Sequence, residues 1–175
     1  MKRTKKAVSL ICAVLVAIGM IGCSKEKSTA KEIPLQEVQQ KIQEAYGENY
    51  LAGMDYDSQL LETVFGIKPE WVEEFIAQGP MMSAHVDTFI AIKATDGNVE
   101  NVKTTLEAYR QSQIDSGFSY PMNLAKIEQS QVYQTGDYVF YIMLGGYYEG
   151  DDANEEQNHY KEQTQIALDI IKEYE

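Results

Sequence analysis

The chain has 175 residues, with 15 lysines and arginines against 27 aspartates and glutamates, for a formal net charge of −12. That length allows one compact domain with a sizeable core. The acidity excludes nucleic acid as a partner, because phosphate binding needs a basic footprint.

The N-terminus is built differently from the rest. Lys2, Arg3, Lys5 and Lys6 form a charged start, and residues 7–21 form an apolar run that closes on Met20-Ile21-Gly22-Cys23. An apolar stretch of that length fits a secretory signal better than a membrane span, which needs about 20 apolar residues. The closing tetrad resembles the lipobox of bacterial lipoproteins, with Met20 standing where leucine is usual. The resemblance implies a diacylglyceryl group on Cys23, with that cysteine as the mature N-terminus. The expected division is a signal over 1–22, the lipidated cysteine and a flexible tether over 23–33, and one domain over 34–175.

Loss of the signal removes Cys12 and four basic residues, leaving a mature charge near −16. Lipid consumes Cys23, so no thiol remains for catalysis, metal binding or a disulfide. The polar tether has a random-coil reach of about 17 Å. Its Lys25, Lys27 and Lys31 either favour anionic headgroups or only solvate the segment.

In chain order, Pro34 sits at the first turn of a helix whose stripe is Leu35, Val38, Ile42 and Ala45, ending at Gly47. Asp57 or Ser58 caps a second helix carrying Leu60, Leu61, Val64 and Phe65, stopped by Gly66. Pro69 opens a third, with Trp71, Val72, Phe75 and Ile76 on one face and Gly79-Pro80 at its close. The period then becomes two. Residues 84–93 read as a strand with His85, Asp87, Ala91 and Lys93 on a wetter face, and Phe89 packed under a neighbour.

After the Asp96-Gly97 turn, with Asn98 as N-cap, Val99, Val102, Leu106, Tyr109 and Gln113 mark a long amphipathic helix ending near Gly117. Residues 121–126 form a short helix or turn. Val132 and Tyr133 lie in a strand, Thr135-Gly136-Asp137 turns a hairpin, and residues 138–144 return as a strand apolar on both faces and therefore central. An acidic loop over 145–157 leads into a C-terminal helix with Ala167, Ile170, Ile171 and Tyr174 as its stripe. The fold class is α+β: a small, mainly antiparallel sheet covered on one face by helices and preceded by a short helical lobe.

Met81-Met82-Ser83-Ala84, the strand from Phe89 to Ala94, the Asp96-Gly97 turn, the helix around Val102 to Glu107, and the later Thr135-Gly136-Asp137-Tyr138 hairpin form a recurring pattern. It resembles a small lipoprotein type of Gram-positive bacteria carrying a domain of unknown function. The resemblance implies no activity, substrate, cofactor or catalytic residue beyond the lipid cysteine.

The chemistry is sparse. Gly117-Phe118-Ser119-Tyr120-Pro121 lacks the second glycine of a nucleophile elbow. His85 and Asp87 alternate onto one strand face, which suits either an acid–base pair or a paired surface histidine. Asp151, Asp152, Glu155, Glu156 and His159 fall close together, with Glu155 and His159 at i, i+4 spacing. Such ligands suit a hard cation such as Ca²⁺, although a solvated charge cluster at a helix start accounts for them as well. Tyr147 and Tyr148 stand in the same loop as candidates for a protein interface or for stacking on sugar faces. The expectation is a lipid-anchored, extracytoplasmic, non-enzymatic module without a cofactor, binding an envelope protein or wall polymer. The alternative is a metal-assisted hydrolase using the acidic loop and His159.

Overall fold

The structure, a computed structural model, describes residues 31–117 and 119–175. The expected signal, Cys23, Lys25, Lys27 and Phe118 lie outside the described residues. Five strands form one antiparallel sheet in the order β1-β2-β3-β5-β4. They are β1 (Met54–Asp55), β2 (Val72–Gly79), β3 (Thr88–Ala94), β4 (Gln131–Thr135) and β5 (Tyr138–Met143). The helices are α1 (Leu35–Tyr46), α2 (Ser58–Phe65), α3 (Val99–Ser116), α4 (Pro121–Gln129) and α5 (Ala153–Lys172).

The α+β class, the antiparallel sheet and the helical N-terminal portion agree with the pattern reading. The cover is more extensive than expected, because helices lie against both faces of the sheet. Leu35, Val38 and Ile42 of α1, with Ala167, Leu168 and Ile171 of α5, pack on Phe89, Ala91, Phe140 and Ile142. On the opposite face, Leu61 and Phe65 of α2, with Val102 and Leu106 of α3, pack on Ile90, Ile92, Val139 and Tyr141. Neither face of β3 is therefore wet, and all six residues of β5 are buried. Both are interior strands, with β3 in the middle.

One element changes type. Pro69 opens only a short 3₁₀ turn, and Val72, Phe75 and Ile76 belong to β2 rather than to a third helix. A register shift between Val72 and Glu74 explains the misleading pattern. A bulge adds a residue to one strand, so Val72 and Phe75, three apart, pack on the same core as Ile90 and Ile92. Ile76 packs on the other core. That spacing imitates a helix.

Smaller differences have local causes. The α1 stripe ends on buried Tyr46 instead of Ala45, which is exposed. Asp57 caps α2 by accepting from the Leu60 amide at 2.8 Å, and Gly66 ends it at φ 75°. Asn98 holds the N-cap position of α3 without capping it, because its side chain bonds Thr95 and Asn101. The hairpin turns at Gly136-Asp137, with Thr135 opposite Tyr138.

Strand polarity fixes two ends. Lys93 pairs with Tyr138 at one end, and Thr88 pairs with Met143 at the other. The chain enters at the first end, where the Ile33 amide donates to the Tyr138 hydroxyl at 3.1 Å and Lys93 pairs with Glu32 at 3.1 Å. Gly79, which leads out of β2, and Thr88, which opens β3, stand at the second end, together with the exit from β5.

Ile142 is fully buried in the layer between the sheet and α1/α5. Ile142→Lys places an unpaired charge there, at a cost of several kcal/mol, comparable with the whole stability of an ordinary domain. Circular dichroism should show a largely unfolded chain at room temperature. An unchanged thermal midpoint would mean that β5 is not interior.

Candidate functional site

The second end of the sheet gathers the chemistry. Asp87 stands just before β3 and is fully buried. Its carboxylate receives both hydrogen bonds from Lys126 Nζ of α4, at 3.0 and 2.9 Å, and Lys126 is 1% exposed. Burial pushes the Asp87 carboxyl up from its ordinary value, ahead of the opposing pull of Lys126. Burial likewise lowers Lys126, ahead of the opposing effect of Asp87. In both partners desolvation outweighs attraction, so the pair is held in place by the fold and adds little net stability.

His85 and Asp87 do not form the strand-face pair that alternation suggests. The strand begins at Thr88, so both residues lie in the segment before it, and their side chains take different hydrogen-bond partners while His85 still acts electrostatically on Asp87. Asp87 goes inward to Lys126, whereas His85 Nδ1 shares a hydrogen bond with the Tyr147 hydroxyl. Nearby, Asn123 of α4 is 1% exposed and donates from Nδ2 to the Ala84 carbonyl at 2.9 Å. Its Oδ1 has no hydrogen-bond partner among the described residues.

Two rings enclose the ammonium. Lys126 Nζ lies 4.8 Å from the Tyr147 ring centroid and 5.6 Å from that of Tyr160, within range of cation–π attraction. Tyr147 comes from the segment joining β5 to α5, residues 144–152, which lies as a strap over the end of the sheet. The strap is tied along its length. His159 Nε2 donates to the Gly146 carbonyl at 2.8 Å, and Gln163 Oε1 accepts from the Gly146 amide at 3.3 Å. The Tyr160 hydroxyl accepts from the Tyr148 amide at 3.4 Å, and the Tyr148 hydroxyl donates to Glu155 at 2.7 Å. That last bond pushes the Tyr148 hydroxyl up to about 12. Both histidines of the chain thus hold the same strap.

The glycines of the strap are required by close approach more than by freedom. Gly145 adopts φ 133°, and a Cβ there would lie 2.6 Å from Gln163 Cβ. A Cβ at Gly150 would lie 2.2 Å from the Tyr148 hydroxyl oxygen, so that ring folds back on the main chain.

The acidic candidates have structural partners. Asp152 is the N-cap of α5, its Oδ1 accepting from the amides of Asn154 at 2.8 Å and Glu155 at 3.1 Å. Glu155 accepts from Tyr148, His159 is turned to Gly146, and Asp151 is exposed. Among the described residues, no group of three or more His, Cys, Asp or Glu side chains could hold a metal ion. Tyr147 and Tyr148 are half-buried, each with its hydroxyl tied to a neighbour. Pattern reading missed Lys126 and Asn123. The available signal was a lysine flanked by Ala125 and Ile127 in a short helix rich in apolar residues.

Removing one partner of the buried pair leaves the other charge stranded. Lys126→Met should therefore lower stability by about 3–5 kcal/mol, and Asp87→Leu combined with Lys126→Met should recover most of that loss. Urea denaturation of the three chains checks this. A single variant as stable as the parent would show that the ammonium is not isolated from water.

Comparison with curated proteins and with solved structures finds no match. A family model, described as a domain of unknown function (DUF4358), matches residues 45–144. The match takes in the whole sheet together with Asp87, Asn123 and Lys126, and it ends where the strap begins. Because it spans more than half of the chain, this protein belongs to the DUF4358 family.

Proposed function

We propose that this chain is a bacterial lipoprotein of the Gram-positive type, a non-enzymatic binding or accessory module of the cell envelope. In this reading it is anchored through lipid on Cys23 to the extracytoplasmic face of the cell membrane. Its partner is an envelope protein or wall polymer, and the working surface is the strap and the start of α5. The basic, apolar, small-residue and cysteine order of the N-terminus supports the anchor. No helix of the described residues is long and apolar enough to cross a membrane.

One observation carries the functional part: the polarity of the sheet. The tether joins beside Tyr138, whereas the strap leaves after Met143. Five residue steps along β5, at about 3.4 Å each, separate the two ends by about 17 Å. A domain held by Cys23 through a flexible tether can therefore turn the strap away from the lipid. The acidity of the body favours the same orientation, because it repels an anionic bilayer and keeps nucleic acid off. A loop tied to the scaffold at Gly146, Tyr147, Tyr148 and Asp152 suits recognition, since less entropy remains to be lost on binding.

Cys23→Ala should leave an unlipidated, unprocessed precursor, whereas the parent chain partitions with the membrane. Fractionation and intact-mass measurement of the mature chain check this. A parent protein found soluble, unlipidated and starting at another residue would overturn the anchor.

A further inference from the structure

We infer that the strap end of the domain is a stacking platform for a neutral or amino-bearing glycan. The inference rests on the binding-module reading and names its ligand class. The rings at this end form a connected series. His85 and Tyr147 have centroids 5.4 Å apart, Tyr148 and His159 5.8 Å, and His159 and Tyr160 5.0 Å. The Lys126 ammonium joins the two halves by lying against Tyr147 and Tyr160. Tyr160 is the buried floor, whereas His85, Tyr147, Tyr148 and His159 each stay partly open to water.

Each open ring is fixed at its polar edge: Tyr147 to His85, Tyr148 to Glu155, and His159 to the Gly146 carbonyl. What these rings offer a ligand is therefore the parts of their faces that the cluster leaves open to water. Faces of this kind take the C–H surface of a sugar ring, and they also attract an ammonium group. The buried Asp87–Lys126 pair has a part in this arrangement, because it sets a fixed cation beneath Tyr147 and holds that ring from below.

Charge selects among glycans. No lysine or arginine occurs from Gly145 to Tyr160, and Asp151, Asp152 and Glu155 act electrostatically on Tyr148 and Glu156 on Tyr160. The ammonium that lies against the rings, Lys126, is buried and paired, while Lys161 follows on the exposed side of α5. A phosphate-bearing polymer is repelled by these acidic residues, whereas hydroxyl, acetamido and amino groups find carboxylate acceptors. The platform thus fits amino-sugar chains and rejects polyol phosphates.

The test uses the full chain in detergent with isotope-labelled histidine, since both histidines of the protein belong to the platform. The probes are the tetramers of N-acetylglucosamine and of glucosamine, poly(glycerol phosphate), and a synthetic lysine–leucine amphipathic peptide. At millimolar concentration, one or both saccharides should shift both imidazole signals saturably, and the phosphate polymer should leave them unmoved. Tyr148→Ala should weaken saccharide binding about tenfold. Tyr148→Phe keeps the ring but loses the Glu155 bond that fixes it, and should bind more weakly than the parent and more tightly than Tyr148→Ala. Tyr148 lies clear of the buried pair, and circular dichroism of both variants controls for folding. Unmoved imidazole signals with both saccharides would overturn the glycan assignment, as would unchanged affinity in Tyr148→Ala or equal binding of the phosphate polymer. Shifts produced by the peptide alone would also overturn it while leaving the binding-module reading intact, and that reading fails separately if Cys23 carries no lipid.

Discussion

Asp87 and Lys126 meet where three pieces of chain converge: the approach to β3, the middle of α4, and the strap that follows β5. Neither group can stay ionised in an apolar interior without the other. Their bond therefore fixes α4 against the start of the central strand, and the ammonium in turn gives Tyr147 something to cover. Tyr147 brings the strap, and the strap brings the first turns of α5 through His159 and Tyr160. The arrangement runs outward from one contact whose own net contribution to stability is small. Its value is in specifying geometry: the ends of three elements are held in one relation.

That geometry requires a sheet covered on both faces. Helices α1 and α5 close one side, while α2 and α3 close the other. The sheet end then becomes the place where buried polar groups and half-buried rings meet solvent, opposite the end where Ile33 and Glu32 join. In the proposed reading, a binding surface and an attachment point so separated do not compete for the same ground.

Much of the fold was legible because it depends on local rules. Pro34, Asp57, Gly66, Gly117 and the Gly136-Asp137 turn punctuate the chain by their own backbone preferences. The uninterrupted apolar run of β5 can only be an interior strand. Where the reading failed, the cause was non-local. The bulge in β2 places Val72 and Phe75 on one core at helical spacing, and only pairing with β3 shows that they are extended. His85 and Asp87 alternate like strand residues but precede the strand, so each side chain finds its own hydrogen-bond partner.

The sequence by itself determined the composition of the strap end: acidic residues without a lysine or arginine from Gly145 to Tyr160, paired tyrosines, and glycines on either side of them. It also carried the N-terminal signal pattern, because such signals act as linear segments and need no fold. Only the tertiary structure decided that Lys126, some twenty residues before the strap, is the buried partner of Asp87, and that both histidines tie the same segment. A lysine looks the same in a sequence whether it reaches water or is desolvated. Burial depends on which elements pack around it, and that is settled only when α4, the strap and α5 close over the end of the sheet.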